Sequence, residues 1–233
     1  MKKVILITGT RKGIGKELAE YYLGLGCNVI GCSRGAGTIV NKNYRHHELD
    51  VSNEKDVVSM VRATRKEFSR IDILLNNAGI ASMNHFLTTS FGTVQNIFTT
   101  NFFGTFIFSR EVSKVMMKQK YGRIVNYTTV ASALRLEGEA IYAASKAAVE
   151  NFTQTISKEL APYNITVNAI GPTPVETDLI KAVPKDKIAA LLDKQAIKRF
   201  GTIEDIKNVL DFFTDDKSEF ITGQIIYLGG IHN

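Results

Sequence analysis

The run Tyr142-Ala143-Ala144-Ser145-Lys146 places a phenol and an ammonium four residues apart. On a helix that spacing puts both on one face. A free phenol has a pKa of about 10, too high for ready proton exchange near neutral pH. A neighbouring ammonium favours phenolate and is expected to lower that value. Tyr142 is then equipped to give a proton to an oxygen atom, or to take one from it, as a general acid–base group. The plainer reading of the same pair is a contact on a helix surface. His46, His47, His85 and His232 have no metal-ligand context, so no metal is expected.

A second constellation lies near the amino terminus. Apolar residues 4–7 lead into Thr8-Gly9-Thr10-Arg11-Lys12-Gly13-Ile14-Gly15, and a helical pattern follows. Glycine lets the backbone turn tightly and approach a pyrophosphate, whose charge is met by the helix amino terminus. The pattern T-G-x-x-x-G-x-G differs from the G-x-G-x-x-G fingerprint but has the strand–turn–helix setting that fingerprint requires. Gly9, Arg11, Lys12, Gly13, Ile14 and Gly15 are therefore candidate cofactor contacts, with a purely structural turn as the alternative. An NAD site would place Asp or Glu about 20 residues on, at the end of the second strand. This chain has Cys32-Ser33-Arg34 there. Arg34 is positioned for a 2′-phosphate, Ser33 can donate a hydrogen bond, and Lys12 adds charge; a guanidinium fork suits phosphate oxygens. NADP(H) is expected in preference to NAD(H), the plain alternative being that Arg34 and Lys12 are solvated.

The elements that must position these groups follow from periodicity. Residues 4–7, 28–32, 45–49, 71–75, 123–127, 166–170 and 225–228 read as strands; 14–25, 54–68, 91–118, 141–160 and 203–214 read as helices. Strand–helix alternation predicts an α/β fold, a doubly wound Rossmann-like three-layer sandwich on a mostly parallel seven-stranded sheet, with ligands at the carboxyl ends of the strands. Ser52 or Asn53 can cap the helix after them, and Thr202 with Asp205 resembles a capping box. No linker divides the chain, so residues 1–233 are expected to form one domain. Residues 172–200, the one long irregular section, are expected to be a substrate lid.

Composition narrows the classes. The chain is 44% hydrophobic and 22% charged, close to a soluble globular average. Its net charge of +6 is scattered among acids rather than gathered in a stripe, so nucleic acid is not an expected partner. Cys27 and Cys32 match no zinc or redox spacing and read as reduced thiols. No secretory signal or membrane-length apolar run occurs, and a cytoplasmic location without membrane contact is expected.

With these residues in hand the chain resembles the short-chain dehydrogenase/reductase family over nearly its whole length, in the single-domain branch and near its 3-oxoacyl-acyl-carrier-protein reductase-like members. Tyr142 and Lys146 match its Y-x-x-x-K, and Asn76-Asn77-Ala78-Gly79 its N-N-A-G motif beside the cofactor. Asp50-Val51 resembles the pair that contacts adenine. Asn101 matches the helix asparagine that supports a proton-relay water. The resemblance implies reversible hydride transfer between NADP(H) and a small carbonyl or alcohol, with Tyr142 as acid–base group and Lys146 also on the nicotinamide ribose. It further implies a homodimer or homotetramer. Thr177 fits a family threonine near the carboxamide or pyrophosphate.

Three departures matter. Thr129 stands thirteen residues before Tyr142, where the family has Ser; it keeps the hydroxyl donor, with Ser132 as nearest substitute. Pro172-Thr173-Pro174 replaces Pro-Gly, and Thr173 is a candidate to take over the cofactor contact of that turn. Leu228 stands where Asp is common. Substrate identity resides in residues 80–90, 131–141 and 176–200. There Leu179, Ile180, Val183 and Leu191 either form an apolar cover or pack on the body, and Arg135 either holds an anion or is solvated. Two rivals stay open: a cofactor-binding sensor without turnover, supported only by Thr129, and a nucleotide-sugar epimerase or dehydratase of the extended branch, whose T-G-x-x-G-x-x-G and longer carboxyl-terminal domain this chain lacks.

Overall fold

Val4-Ile5-Leu6-Ile7 is apolar at every position, and a strand with no polar face needs cover on both sides. The computed structural model describes residues 2–175 and 185–232. Strand β1 (Val4–Thr8) lies between β2 (Asn28–Ser33) and β4 (Ile73–Asn76) at the centre of a seven-stranded sheet. The order is β3-β2-β1-β4-β5-β6-β7, with β3 (Tyr44–Glu48), β5 (Gly122–Tyr127), β6 (Ile165–Gly171) and β7 (Ile225–Tyr227). Every one of these pairs is parallel, a stricter arrangement than the mostly parallel sheet expected.

Alternation along β1 sorts the core into two layers. Val4 and Leu6 face helices α2 (Glu54–Phe68) and α4 (Gly104–Gln119), meeting Val57, Met60, Phe108 and Val112. Ile5 and Ile7 face the opposite side, where α1 (Gly13–Gly24) supplies Leu18 and Tyr22 and the last long helix (Ile203–Thr214) supplies Ile206, Leu210 and Phe213. Asn53, not Ser52, caps α2 by accepting from Asp56 N; Ser52 is occupied with Asp50. The capping box of Thr202 and Asp205 forms as expected.

Residues 91–118 are not one regular helix. Helix α3 (Phe91–Phe98) passes through a π turn, Thr99–Phe103, into α4. A π turn holds one residue more than an α turn and occurs often at functional sites, and 3.6-residue periodicity cannot register it.

Among the described residues the remaining α-helices are α5 (Val130–Leu134), α6 (Ala140–Leu160), α7 (Lys185–Asp193) and α8, the helix Ile203–Thr214 named above. In the section expected as a lid, Val175 bridges Gly201. Gln195, 2% exposed, donates to the carbonyls of Ile197 and Arg199 at 3.0 and 2.9 Å. Leu191 packs beside Val130, Ala133 and Ile231. Leu179, Ile180 and Val183 lie outside the described residues. Among those described, no helix is long and apolar enough to cross a membrane, and no group of three metal-type ligands occurs.

Candidate active site

The glycine turn sits where three strands end. Gly9 N and Thr10 N donate to Cys32 O at 2.8 and 3.1 Å, tying the turn to β2. Asn77 Nδ2 donates to Thr8 O at 2.9 Å, and Ala78 N to Thr8 Oγ1 at 2.9 Å, tying it to β4. Gly9 has φ +79°, open to glycine at little cost. At Gly15 the constraint is space, because a Cβ there would stand 2.3 Å from Gly9 O. Helix α1 begins immediately, and Lys12 at its N-cap makes no side-chain capping bond. The first N–H groups of a helix have no intrahelical partner and carry the positive end of its dipole.

The end of β2 gathers positive charge. Arg34 is exposed. The Arg11 guanidinium lies across Gly35, where a Cβ would come within 2.7 Å of Nη1. Ser33 departs from its expected role, because its hydroxyl donates to Gly35 O at 2.7 Å and lies 3.0 Å from His46 Nε2. His46 also reaches the Tyr44 hydroxyl through Nδ1 at 2.8 Å. Tyr44 and His46 thus brace the Ser33–Gly35 loop, a role the sequence did not signal because β3 meets β2 only in the folded sheet. The Asp50 carboxylate is spent on Ser52 N and Oγ, at 2.9 and 2.6 Å. Burial pushes its pKa up, but those bonds and the Arg34 charge reverse the shift and leave it below the usual carboxylate range. Val51 is buried against the start of α4.

Helix α6 presents Tyr142 in its first turn and Lys146 one turn later. Tyr142 and Thr129 line the same cleft, close enough for the Thr129 hydroxyl to favour the phenolate. Thr129 itself is 8% exposed, at the N-cap of α5, and accepts from Ala131 N at 3.3 Å. Ser132 Oγ is engaged, at 3.4 Å, with Ala143 O. Lys146 is buried, and its Nζ donates to Tyr127 O at 2.8 Å.

The acidity of this pair differs from the sequence expectation. Burial pushes Tyr142 up to about 12; the Thr129 hydroxyl lowers it and the Glu139 charge raises it. Lys146 is not among the groups that lower it. Burial also pulls Lys146 down to about 8, against the opposing charge of Glu150. The low-dielectric surroundings that four-residue spacing cannot reveal decide both shifts.

Asn101 is the residue expected to support a proton-relay water. It is fully buried in the π turn. Its Nδ2 donates to Ile80 O at 2.9 Å and Ser145 Oγ at 3.0 Å, and its Oδ1 accepts from Ile80 N at 2.8 Å. The side chain therefore clamps the Gly79–Ile80 loop to α6. A Cβ at Gly79 would lie 3.4 Å from Lys146 Nζ, which places the loop after β4 directly beside the lysine.

A cleft of about 190 Å³ brings together Ile14, Asn77, Gly79, Thr129, Tyr142 and Lys146, with Pro172 and Thr173 on its far wall. Thr173 Oγ1 stands 2.7 Å from where a Gly201 Cβ would be, and Pro172 O accepts from Val130 N at 3.4 Å. Thr177 lies outside the described residues. Glu139 and Glu150 belong to this region and were missed, since an isolated Glu on a helical pattern reads as a solvated surface group.

A parallel sheet with a glycine turn at its carboxyl edge, and a buried tyrosine–lysine pair facing that turn, defines a dinucleotide-dependent oxidoreductase domain. Comparison with known proteins narrows the class. Residues 3–188 match the family model described as short chain dehydrogenase. The 3-oxoacyl-[acyl-carrier-protein] reductase FabG of Escherichia coli (strain K12) is 33% identical over 234 residues, covering 98% of this chain and 96% of that protein. The 3-oxoacyl-[acyl-carrier-protein] reductase of Synechocystis sp. (strain ATCC 27184 / PCC 6803 / Kazusa) is 34% identical, covering 98% and 96%. Among solved structures, ElxO with NADP bound matches with a TM-score of 0.90 at 28% identity, covering 99% of this chain and 98% of that one. Thermoplasma acidophilum aldohexose dehydrogenase, ligand-free, matches with a TM-score of 0.88 at 28% identity, covering 98% and 93%. The chain belongs to the short-chain dehydrogenase family and is an oxidoreductase.

Proposed function

We propose that this enzyme moves hydride reversibly between NADP(H) and a small carbonyl or alcohol substrate, with Tyr142 as proton donor or acceptor. The observation that carries the reading is one cleft lined by Tyr142, Thr129 and Lys146 together with Ile14 at the edge of the glycine turn. Two hydroxyl-bearing side chains on one cleft can both serve one substrate oxygen. The residues present also fit a dinucleotide. Gly15 lets the start of α1 pack directly on Gly9 O, where any side chain would collide, the first turn of α1 has no side-chain cap, and Arg11 and Arg34 stand near the end of β2. Bound there, the dinucleotide supplies or accepts the hydride and with it the redox change.

The chain's own groups do the rest. Thr129 orients the substrate oxygen, and Tyr142 exchanges a proton with it. With its pKa at about 12, the phenol is protonated at neutral pH, the form needed for reduction. Lys146 puts an ammonium beside the ribose position, and Asn101 with Asn77 hold the two loops that frame the cleft. Arg34, with Arg11 and Lys12, favours a 2′-phosphate, which supports NADP(H) over NAD(H); the NADP named for ElxO agrees. Turnover of a 3-oxoacyl thioester, as in the named reductases, is one substrate class within this reading. A homodimer or homotetramer is supported by an aromatic surface in which Phe152 meets Phe102 and Phe106 at 5.8 and 6.1 Å, beside Phe103, 49% exposed. We place the enzyme in the cytoplasm, acting on a small molecule with no nucleic acid or membrane partner.

The decisive variant is Tyr142→Phe, assayed by loss of NADPH absorbance with a panel of ketones and 3-oxoacyl thioesters. It should lose turnover and keep NADPH binding. Undiminished turnover would reject the acid–base assignment.

A further inference from the structure

Glu139 is the residue at the entrance of α6 that the proposed chemistry leaves unused. It sits at the N-cap, three residues before Tyr142, yet makes no side-chain capping bond. A carboxylate at an N-cap ordinarily folds back to accept from the first turn of its helix. Here the side chain instead lines the cleft that holds Tyr142, Thr129 and Lys146. The residue is only 9% exposed, and its Oε2 is buried without a hydrogen-bond partner. No ion pair answers it among the described residues, and burial alone raises its pKa. Its neighbours on the cleft wall are Val130, Ala131, Leu136 and Leu191.

An orphaned carboxyl in an apolar wall is costly unless something satisfies it. Gly138, at φ +82°, already makes the turn that starts α6, and Ala143 N is satisfied by Glu139 O at 2.7 Å rather than by the side chain. The positive end of the helix dipole gives partial compensation only. Residues three apart on a helix are neighbours, so whatever meets this carboxyl lies close to the group that Tyr142 protonates.

Resting on the proposed carbonyl chemistry of Tyr142, we infer that Glu139 is a specificity residue that receives a hydroxyl or amino hydrogen-bond donor carried by the substrate near its reacting carbon. The substrate class is then a hydroxylated or aminated carbonyl compound and its alcohol. A plain acyl chain at that position would leave the carboxyl unpaired in the complex as well. A hydroxyl and an amine share the donor chemistry and differ in charge, which the choice of variants separates.

The test compares cyclohexanone, 2-hydroxycyclohexanone and 4-piperidinone as substrates with NADPH for the wild-type chain, Glu139→Gln and Glu139→Leu. The wild type should favour at least one donor-bearing ketone over cyclohexanone in kcat/KM by about 10- to 150-fold, the range for a hydrogen bond to a charged group. Glu139→Leu should abolish that preference while keeping turnover of cyclohexanone. Glu139→Gln should keep it if the donor is a hydroxyl and lose it if the donor is an ammonium. A substrate-independent measurement runs alongside. Replacing an unpaired buried carboxyl by a side chain of similar size without polar atoms is neutral or stabilising, so Glu139→Leu should leave the melting temperature unchanged or raised. Equal kcat/KM for all three ketones in the wild type, or a lower melting temperature for Glu139→Leu, would overturn the inference while leaving the oxidoreductase reading intact. That reading fails separately, if Tyr142→Phe turns over any of these ketones as fast as the wild type.

Discussion

Thr129→Val separates what the hydroxyl does for chemistry from what it does for the fold. Valine matches threonine in shape and β-branching, and the extended backbone at this position, φ −158° and ψ 148°, accommodates it. The replacement opens no cavity. Its structural cost is the capping bond from Ala131 N, already long at 3.3 Å. Losing such a cap costs about 1 kcal/mol, or roughly 2–4 °C in Tm for a domain of this size. The catalytic cost is larger, because deleting one donor to a reacting oxygen lowers kcat by about 100- to 1,000-fold, some 2.7–4 kcal/mol. The same deletion removes the hydroxyl that favours the Tyr142 phenolate, so the phenol should move further up. Measured by NADPH absorbance loss and thermal melting, the variant should show a large fall in kcat, a small fall in Tm and unchanged NADPH affinity. Thr129→Ser should restore turnover. If Thr129→Val kept more than about a tenth of wild-type kcat, against the loss expected for such a donor, the hydroxyl would not be the substrate's donor and Ser132 would be next to examine.

Four further outcomes follow from the geometry. Arg34→Asp should raise the dissociation constant for NADPH strongly and that for NADH little; equal changes for both would count against 2′-phosphate recognition. Gly15→Ala forces a Cβ to 2.3 Å from a backbone oxygen, so the turn must open at about 1–3 kcal/mol; the melting temperature should drop and stabilisation by added NADPH should shrink, and an unchanged pair of values would contradict the packing. Glu150→Gln removes the charge that opposes burial at Lys146; with the lysine already at about 8, the alkaline limb of kcat should begin at lower pH, and an unmoved limb would show that the ammonium does not govern turnover. Burial holds the Glu139 carboxyl above its usual range, so the folded chain binds a proton there that the unfolded chain releases. That contribution is complete below the unfolded pKa and is lost as pH rises through the folded one. Glu139→Gln should therefore flatten the fall of Tm as pH rises above the free carboxyl value of about 4.3.

The parts of the fold that depend on local pattern were legible in advance. The apolar run before Thr8 and the glycines after it gave a strand, a turn and a helix in the right places. Tyr142 and Lys146 share a helix as their spacing requires. Asn53 and Thr202 cap helices for reasons visible in a few adjacent residues. What was not legible depends on neighbours brought from elsewhere in the chain. The acidity of Tyr142 is set by burial and by Thr129, not by the lysine that sequence spacing offers. Ser33 is spent on Gly35 and His46 because β3 lies against β2. Asn101 faces Ile80 and Ser145 because a π turn redirects it, and Glu139 gains interest only because a cleft wall closes round it.

That widened turn has a consequence for how this chain can change. An α-helix advances about 100° per residue, from 3.6 residues per turn, and the π turn already absorbs one extra residue, so inserting a second between Thr99 and Phe103 would rotate α3 by that angle relative to α4. Ile97, buried at 1% exposure, would swing toward solvent, and the Asn101 clamp would release the Gly79–Ile80 loop. Length here is fixed by helical phase rather than by reach. An insertion that a surface loop absorbs without effect would, at this point, unseat the hydrophobic layer and the reaction centre together.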